Sequence, residues 1–361
     1  MLRQTLCFLL ALVSCAAAQA QAKHKVIIDE DCSGPGGTNM QAVLTLVNSP
    51  DTEVLGITIP TGDAWRDEEV AHALRLLEII GRPNIPVVPG AVFPMVNSKE
   101  FVAQWEAQYG KVPYQGAWNT GNPVHGPWEI PPLPEGAPAT KASQEDAANF
   151  LVRMVNTYPH QITIYAAAPL TDLAMAILLD ANFPELSKEL IVMGGSINPK
   201  TDDPEFKLAP HREFNFWMDP DAAHTVLHAH WPRIVLTTVD ISLNTRMDKN
   251  LIAQIANGTT PAAQYVAKYA HPDYLWDELA AAAWLDPSII TKWQKLYIDV
   301  DTNFDASYGN TLTWPPGKQS GAGEPLVEVQ QSLDREKFYK LLVDLLTRST
   351  PAGPSSAPSE N

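Results

Sequence analysis

Three consecutive acidic residues follow a short apolar run near residue 26. Asp29, Glu30 and Asp31 come directly after Val26-Ile27-Ile28, a run too short for a helix and β-branched enough for a buried strand. Carboxylates packed at a strand end repel one another, so a cation or a hydroxyl-rich ligand is the natural compensation. A solvated acidic turn is the alternative, and this stretch alone favours neither.

A glycine-rich turn over residues 34–37 separates these acids from the first predicted helix. Thr38 and Asn39 stand where a helix N-cap is expected, ahead of the amphipathic MQAVLTLVNS. The turn is not a phosphate loop, because no Gly-Lys-Ser/Thr follows and the GxGxxG pattern is not met. Phosphate would also be a poor ligand beside three acids.

Strand and helix patterns alternate along the rest of the chain. Strands are predicted over residues 54–59, 85–88, 162–166, 190–193 and 234–239, with helical patterns between them. This alternation predicts an α/β fold with an open, mostly parallel, Rossmann-like sheet flanked by helices. Ligands bind outside the carboxyl ends of such strands. Polar residues recur at those predicted ends, which favours one active-site rim over a series of solvated turns; they include Asp29, Asp31, Asp63, Thr171, Met193-Gly194 and Asp240.

Residues 93–140 form an insertion rich in Trp, Tyr, Gly and Pro. A long irregular segment inside a compact domain is usually a lid or a binding loop. The predicted organisation is therefore a signal peptide over residues 1–22 and one domain over residues 23–348 that carries this insertion. The Ser-, Pro- and Ala-rich residues 349–361 are predicted to be disordered.

The amino terminus and the charge balance restrict location and partners. Residues 1–22 have one arginine, a short apolar core and small residues at the end, the pattern of a secretory signal peptide. Cleavage would leave 24 basic and 41 acidic residues, a net charge of −17, which argues against nucleic acid and anionic membranes as partners. An exported protein with no membrane insertion after cleavage is expected. The alternative is a lipid anchor at Cys15, because LVSC resembles a lipoprotein cleavage box.

The motifs, taken in order, resemble the inosine-uridine preferring nucleoside hydrolase family over about residues 25–286. That family opens with a strand and a DxDxxxDD cluster, whose first two acids match Asp29 and Asp31. After a three-residue insertion, Thr38 and Asn39 fall where the final Asp pair belongs. The match continues through GITIPTGD, ITIYAAAPLTDLA, IVMGGS, EFNFWMDPDAA and WDELAAAAWLDP.

The resemblance implies a nucleoside hydrolase fold and an enzyme that cleaves the N-glycosidic bond of a small ribonucleoside. It implies one Ca²⁺ per subunit, with Asp31 as the general base, and a homo-oligomer. The implied metal ligands are Asp31, Asn39, the main-chain oxygen of Thr171, and Asp277. The implied substrate contacts are Asp63, Met193, Glu213, Asn215, Trp276 and His125, with Asp29 and Thr38 in supporting roles.

Three positions depart from the family pattern. Asn39 replaces a metal-binding Asp, so the affinity for Ca²⁺ should fall, and Thr38 replaces an acid that holds ribose. Trp276 stands where many members have a His that protonates the departing base. Indole cannot act as that acid, although it can stack on the base. The acid must then come from elsewhere, with His125 and His211 as candidates that are equally compatible with ordinary surface histidines.

These departures leave two alternatives to ribonucleoside hydrolysis. One is a hydrolase of a different riboside. The other is a catalytically weak relative that binds a nucleoside or a sugar.

Overall fold

The computed structural model of the protein describes residues 23–119 and 124–351. The predicted signal peptide, the anchor at Cys15 and residues 352–361 of the predicted tail lie outside the described residues. Among the helices that the structure describes, none is both long and apolar enough to cross a membrane.

One nine-stranded sheet forms the centre of the described protein, in the order β3-β2-β1-β4-β5-β6-β9-β7-β8. Neighbours from β3 to β9 pair in parallel, whereas β7 pairs antiparallel with both β8 and β9. The predicted α/β fold with a mostly parallel sheet is confirmed. The strands are β1 His24–Glu30, β2 Thr52–Ile59, β3 Val87–Pro89, β4 Ile162–Ala167, β5 Glu189–Met193, β6 Ile234–Thr237, β7 Ile290–Val300, β8 Thr311–Trp314 and β9 Leu326–Leu333.

Helices cover both faces of this sheet. Val26 and Ile28 of β1 pack into one buried cluster, while Ile27 between them packs into another, because successive side chains of a strand point to opposite faces. The helices are α1 Thr38–Asn48, α2 Arg66–Ile79, α3 Lys99–Tyr109, α4 Ala147–Thr157, α5 Thr171–Leu179, α6 Phe183–Leu186, α7 Pro204–Leu208, α8 Phe214–Met218, α9 Pro220–Leu227, α10 Val239–Ser242, α11 Lys249–Ala256, α12 Pro261–Tyr269, α13 Asp277–Leu285 and α14 Arg335–Thr347. Helices α1, α2 and α11 to α14 pack on the first face, and α4, α5 and α9 on the second.

Two predicted boundaries are wrong. The N-cap of α1 is Gly37, with no side-chain cap, and both Thr38 and Asn39 lie inside the first helical turn. Their side chains are engaged with carboxylates on other elements instead of with the helix end. The strand predicted over residues 234–239 stops at Thr237, because Val239 begins α10.

The insertion over residues 93–140 is more regular than predicted. It contains α3 and a 3₁₀ turn over Gly116–Trp118. Ser98 caps α3 by accepting a hydrogen bond from the Phe101 N–H at 3.1 Å. Trp105 and Trp118 bury their rings against Trp217 in a third apolar cluster. The insertion is therefore packed onto the domain by its aromatic residues.

Candidate functional site

Nine of the predicted site residues line one cavity of about 490 Å³. The elements bring them together from distant parts of the chain: Asp31 follows β1, Asp63 follows β2, Met193 ends β5, and Asp277 begins α13. Because the carboxyl ends of β1, β2 and β5 meet at one edge of a parallel sheet, these residues converge there. The nine are Asp31, Thr38, Asn39, Asp63, Met193, Glu213, Asn215, Trp276 and Asp277.

Asp31 is held by two hydrogen bonds and is only 2% exposed. Its Oδ2 accepts from the Asp63 main-chain N–H at 3.0 Å, and its Oδ1 accepts from Asn39 Nδ2 at 3.2 Å. Burial raises the pKa of Asp31 well above its ordinary value, and the Asp63 and Asp277 carboxylates raise it further. A Cβ on Gly62 would lie 2.1 Å from Asp31 Oδ2, so the glycine after β2 is what allows the carboxylate this position.

Asn39 lies between two carboxylates. Its Nδ2 donates to Asp31 and, at 3.0 Å, to Asp63 Oδ2, while its Oδ1 accepts from Ser33 Oγ at 3.3 Å. The amide orientation follows from this hydrogen-bond network. By donating to both carboxylates, Asn39 reduces the electrostatic repulsion between Asp31 and Asp63. To offer its oxygen to a cation, the amide would have to turn over.

Asp63 has a second partner that sequence reasoning did not place in the site. Tyr114, from the 93–140 insertion, donates its hydroxyl to Asp63 Oδ1 at 2.6 Å. Burial raises the pKa of Asp63, and the hydrogen bonds from Tyr114 and Asn39 oppose that shift. The insertion thus contributes directly to the cavity wall.

Glu213 is fixed by three main-chain donors. Its Oε1 accepts from the N–H of Asn215 at 2.7 Å, and its Oε2 accepts from those of Gly195 and Phe216 at 2.9 and 3.1 Å. Burial nevertheless raises the pKa of Glu213 to about 7. Asn215 Nδ2 donates to the Met193 carbonyl at 3.1 Å, which ties this acid and amide pair to the end of β5.

Thr38 joins α1 to the start of α13. Its Oγ1 accepts from the Asp277 N–H at 3.1 Å and donates to Glu278. Burial raises the pKa of Asp277, and the nearby charges of Glu278 and Asp63 raise it further. Tyr165 donates its hydroxyl to the Asp277 carbonyl at 2.8 Å. Thr38 thereby holds the first turn of α13, which carries Asp277, against α1.

Three predicted residues do not line the cavity. Asp29 accepts from Thr58 Oγ1 at 2.6 Å behind the sheet edge, and burial together with the charge of Asp172 raises its pKa. The Thr171 hydroxyl donates to Asp219 at 2.7 Å. His125 pairs with Glu68 at 2.9 Å through Nε2, so the structure does not bring this imidazole to the predicted substrate contact. The other candidate acid, His211, is exposed and lies outside the cavity.

Aromatic rings form part of the wall. Trp276 lies 5.9 Å from Phe206 and 5.0 Å from Tyr274, measured between ring centroids. Tyr114 and Phe214 form another pair at 4.9 Å. Stacked or edge-on aromatic rings suit a flat ligand. Sequence reasoning missed Phe206, Phe214 and Tyr274 as site residues. Phe214 lies between Glu213 and Asn215 in the EFNFWMDPDAA motif and could have been found there, whereas no quoted motif includes Phe206 or Tyr274.

The charge of the cavity is strongly one-sided. No lysine or arginine is among the residues that line it in the described structure. Both carboxylate oxygens of buried Glu30 lack a hydrogen-bond partner among the described residues, and the charges of Asp277 and Asp31 help to raise its pKa after burial itself. These oxygen-rich surroundings fit a hard divalent cation. The acids of the lining are Asp31, Asp63, Asp203, Glu205, Glu213, Asp273 and Asp277.

Comparison with known proteins identifies the family. The model of the inosine-uridine preferring nucleoside hydrolase family matches residues 26–340. Uridine nucleosidase 1 of Arabidopsis thaliana is 32% identical over 62% of this chain and 59% of its own length. The inosine-uridine preferring nucleoside hydrolase of Leishmania major is 25% identical over 90% of this chain and 98% of its own length. A solved plant nucleoside hydrolase superposes with a TM-score of 0.70 at 25% identity, covering 90% of this chain and 99% of that one.

The family match extends past the motifs at the carboxyl end and includes residues of all nine described strands. The resemblance inferred from the motifs is confirmed, and the low identities agree with a divergent member of the family. The chain therefore belongs to the inosine-uridine preferring nucleoside hydrolase family and is an N-glycosyl hydrolase.

Proposed function

We propose that this protein cleaves ribonucleosides to ribose and free base in a Ca²⁺-dependent reaction with Asp31 as the general base. The observation that carries the proposal is the cavity itself, which seven acidic residues line without a lysine or arginine in the described structure. Such a site is unfavourable until a cation enters it. Residues that supply carboxylate, amide and carbonyl oxygens favour calcium over a nitrogen-preferring metal.

The ligands that line the cavity would be the side chains of Asp31, Asn39 and Asp277. Thr171, whose main-chain oxygen is the fourth ligand implied by the resemblance, is not among the lining residues. When bound, calcium supplies Lewis-acid activation of the attacking water and a fixed point for the ribose hydroxyls. Asp31 accepts the proton of that water. Its two hydrogen bonds, from Asp63 N–H and Asn39 Nδ2, keep the carboxylate in one orientation for this role.

The remaining polar residues suit the sugar. Asp63, Glu213 and Asn215 offer oxygen atoms to ribose hydroxyls, and Met193 gives the sugar an apolar floor. Cleavage of a glycosidic bond develops positive charge on the ribose ring. A pocket lined by carboxylates stabilises that charge more than it stabilises the neutral substrate, which is what accelerates the reaction. Trp276 and Phe206, whose rings are inclined at 57°, offer aromatic contacts to the base.

The test is release of ribose from inosine, adenosine, guanosine, uridine and cytidine by the chain from Lys23, with added Ca²⁺ and with a chelator. Calcium-dependent release from any of the five supports the proposal and ranks the bases. If the folded protein released no sugar from them but cleaved another riboside, the substrate class would be wrong. Saturable nucleoside binding without release would identify a binding relative.

Restoring the family carboxylate at position 39 should strengthen calcium binding. We expect Asn39→Asp to lower the calcium dissociation constant about tenfold, because one charged oxygen replaces an amide that now donates to Asp31 and Asp63. Isothermal titration calorimetry measures the change. Asn215→Asp is the matched control, since it adds the same charge to the same cavity at a residue that is not a proposed ligand. An equal gain in both variants would contradict a ligand role for residue 39.

Glu205 is the best-placed candidate for the acid that protonates the departing base. It is half-buried in the cavity wall on α7, and burial, followed by the charge of Asp203, raises its pKa above the ordinary 4.5, against the opposing charge of Arg212. The protonated form can donate a proton, so the proposed activity should fall as pH rises through this raised pKa. Glu205→Gln should lower kcat and remove that alkaline limb of the pH profile.

Asp203→Asn is the matched variant for this experiment. The activity of this variant should still fall at alkaline pH, but the fall should begin at a lower pH, because a negative charge that raises the pKa of Glu205 is removed. A pH profile unchanged in Glu205→Gln would show that the proton comes from another group, such as His271 on the cavity rim.

A further inference from the structure

A separate group of metal-binding side chains lies outside the acidic cavity. His224 in α9 and His228 at its C-cap are one helical turn apart, and both face Asp299 of β7. His224 Nδ1 is 2.6 Å from Asp299 Oδ1, and His228 Nε2 is 3.2 Å from Asp299 Oδ2. One donor atom from each residue lies within 4.8 Å of the other two.

These distances match the spacing of ligands around one small metal ion. In a tetrahedral zinc site with bonds of about 2.0–2.1 Å, two ligand atoms lie about 3.3 Å apart. The two imidazoles are also close, with ring centroids 4.2 Å apart and planes inclined at 34°. The three groups are therefore close enough together to share one ion.

The contact between His228 and Asp299 leaves the His228 nitrogen without a hydrogen bond, although Asp299 accepts from His224 and from the Val300 N–H. The two atoms are near each other at 3.2 Å, yet Nε2 of His228 is buried and has no hydrogen-bond partner of acceptable geometry among the described residues. A buried polar atom without a partner is costly. His224 Nδ1 is hydrogen-bonded to Asp299 Oδ1 at 2.6 Å, whereas the neighbouring Nε2 of His228 has no such bond, and a metal ion shared by the three groups would give it a partner.

We propose that His224, His228 and Asp299 bind one divalent transition-metal ion, zinc in particular, as a second site distinct from the acidic cavity. Two imidazole nitrogens and one carboxylate suit zinc, whereas calcium takes oxygen ligands. The last turn of α9 is also a favourable place for a positive charge, because the helix dipole is negative there. The ion would cross-link α9, which follows the Glu213 and Asn215 segment, to the antiparallel edge of the sheet.

The role of this site is structural. All three side chains are partly exposed, at 42%, 20% and 16% of their surface for His224, His228 and Asp299, so an ion can enter from solvent. None of them lines the acidic cavity. Zinc should therefore raise the melting temperature and slow local opening of α9, while the rate of nucleoside cleavage stays unchanged.

The test is calorimetric titration of the full chain with ZnCl₂ in the presence of saturating Ca²⁺, which occupies the acidic cavity. Wild-type protein should take up one zinc ion per chain and melt at a higher temperature. His224→Ala and His228→Ala should each weaken zinc binding at least about tenfold and abolish the shift in melting temperature. His230→Ala, an exposed histidine next to the cluster, should behave like the wild type.

A third variant and a double variant complete the test. Asp299→Asn retains the size of the side chain, so a variant that melts normally without zinc but no longer gains from it assigns the third ligand. Zinc binding of equal strength in wild type and in a His224→Ala/His228→Ala double variant would overturn the proposal. It would also be overturned by the lack of any zinc uptake in correctly folded wild-type protein.

Discussion

Asp31→Asn is expected to reduce turnover by a factor of about 10³ or more, in the range of losses for a group that acts as general base and metal ligand together. The substitution keeps the size and shape of the side chain. The amide oxygen introduced at this position can still accept from the Asp63 N–H. The Asn39 amide can turn to accept from the new NH₂ group, at the loss of its hydrogen bond to Asp63 Oδ2. The local fold should therefore survive, and the loss should fall on kcat.

The same substitution should stabilise the protein when calcium has been removed. The pKa of Asp31 is raised in the folded state by burial and then by Asp63 and Asp277. A group with a raised folded-state pKa gives its full contribution to stability below its unfolded pKa and loses it as pH rises through the folded value. Near neutral pH the ionised form is thus unfavourable, so Asp31→Asn should raise the melting temperature at pH 7–8 with chelator present. Higher stability with lost activity is a common trade-off at functional sites.

The matched control is Asp273→Asn, which removes an acid from the exposed rim of the same cavity. It should keep most of the activity and show little change in melting temperature. Steady-state kinetics with the preferred nucleoside, together with thermal melts, separate the two variants. Wild-type turnover in Asp31→Asn would refute the proposed mechanism, and equal losses in both variants would indicate an effect of total charge only.

The residues that sequence reasoning placed well are those that directly follow a buried strand. Asp31, Asp63 and Met193 are local to β1, β2 and β5, so predicting these strands also predicts their meeting at one sheet edge. The motif around Asp277 was found by resemblance only, since α13 reaches the site through a long crossover. Its contact with Thr38 joins residues 239 positions apart, a separation at which local patterns carry no information.

The residues that were missed belong to irregular segments. Tyr114 comes from the aromatic insertion, and Glu205 and Phe206 come from the five-residue helix α7. Neither segment has a hydrophobic periodicity from which the direction of its side chains could be predicted. The pairing of His125 with Glu68 has the same cause: the histidine lies in the insertion, and its partner is set by how the insertion packs on α2. Hydrogen bonding of this kind depends on tertiary structure.

Removal of calcium is the second large effect that we expect. At a calcium concentration about 100 times the dissociation constant, binding adds about 2.7 kcal/mol to the free energy of unfolding. That corresponds to a rise on the order of 5 °C in melting temperature. A chelator should therefore lower the melting temperature by this amount and abolish ribose release at the same time, since the same ion serves both.

The rise in melting temperature that calcium causes should increase with pH. The direction of this trend follows from the pKa values of carboxyl groups near the proposed ligands. Burial raises the pKa of Glu213 to about 7 and that of Glu278 to about 8. Without calcium, these groups stabilise the fold only while protonated, so stability should decline from about pH 4 to pH 8. The positive charge of calcium at the neighbouring proposed ligands favours the ionised form of these carboxylates, so calcium binding and their protonation oppose each other. The shift in melting temperature on adding Ca²⁺ should thus be small at pH 5 and largest at pH 8.

Differential scanning calorimetry at pH 5, 7 and 8, with Ca²⁺ or chelator, measures both trends. Asp277→Asn should lose most of the calcium-dependent shift, and Asp273→Asn should retain it. Mg²⁺ should give a smaller shift than Ca²⁺, because it demands a stricter octahedral geometry than loop and helix-end ligands readily provide. If calcium left the melting temperature unchanged at pH 8, the seven acids of the cavity would have to be balanced by protons, and neither the metal nor the ionised Asp31 base could be retained in the mechanism.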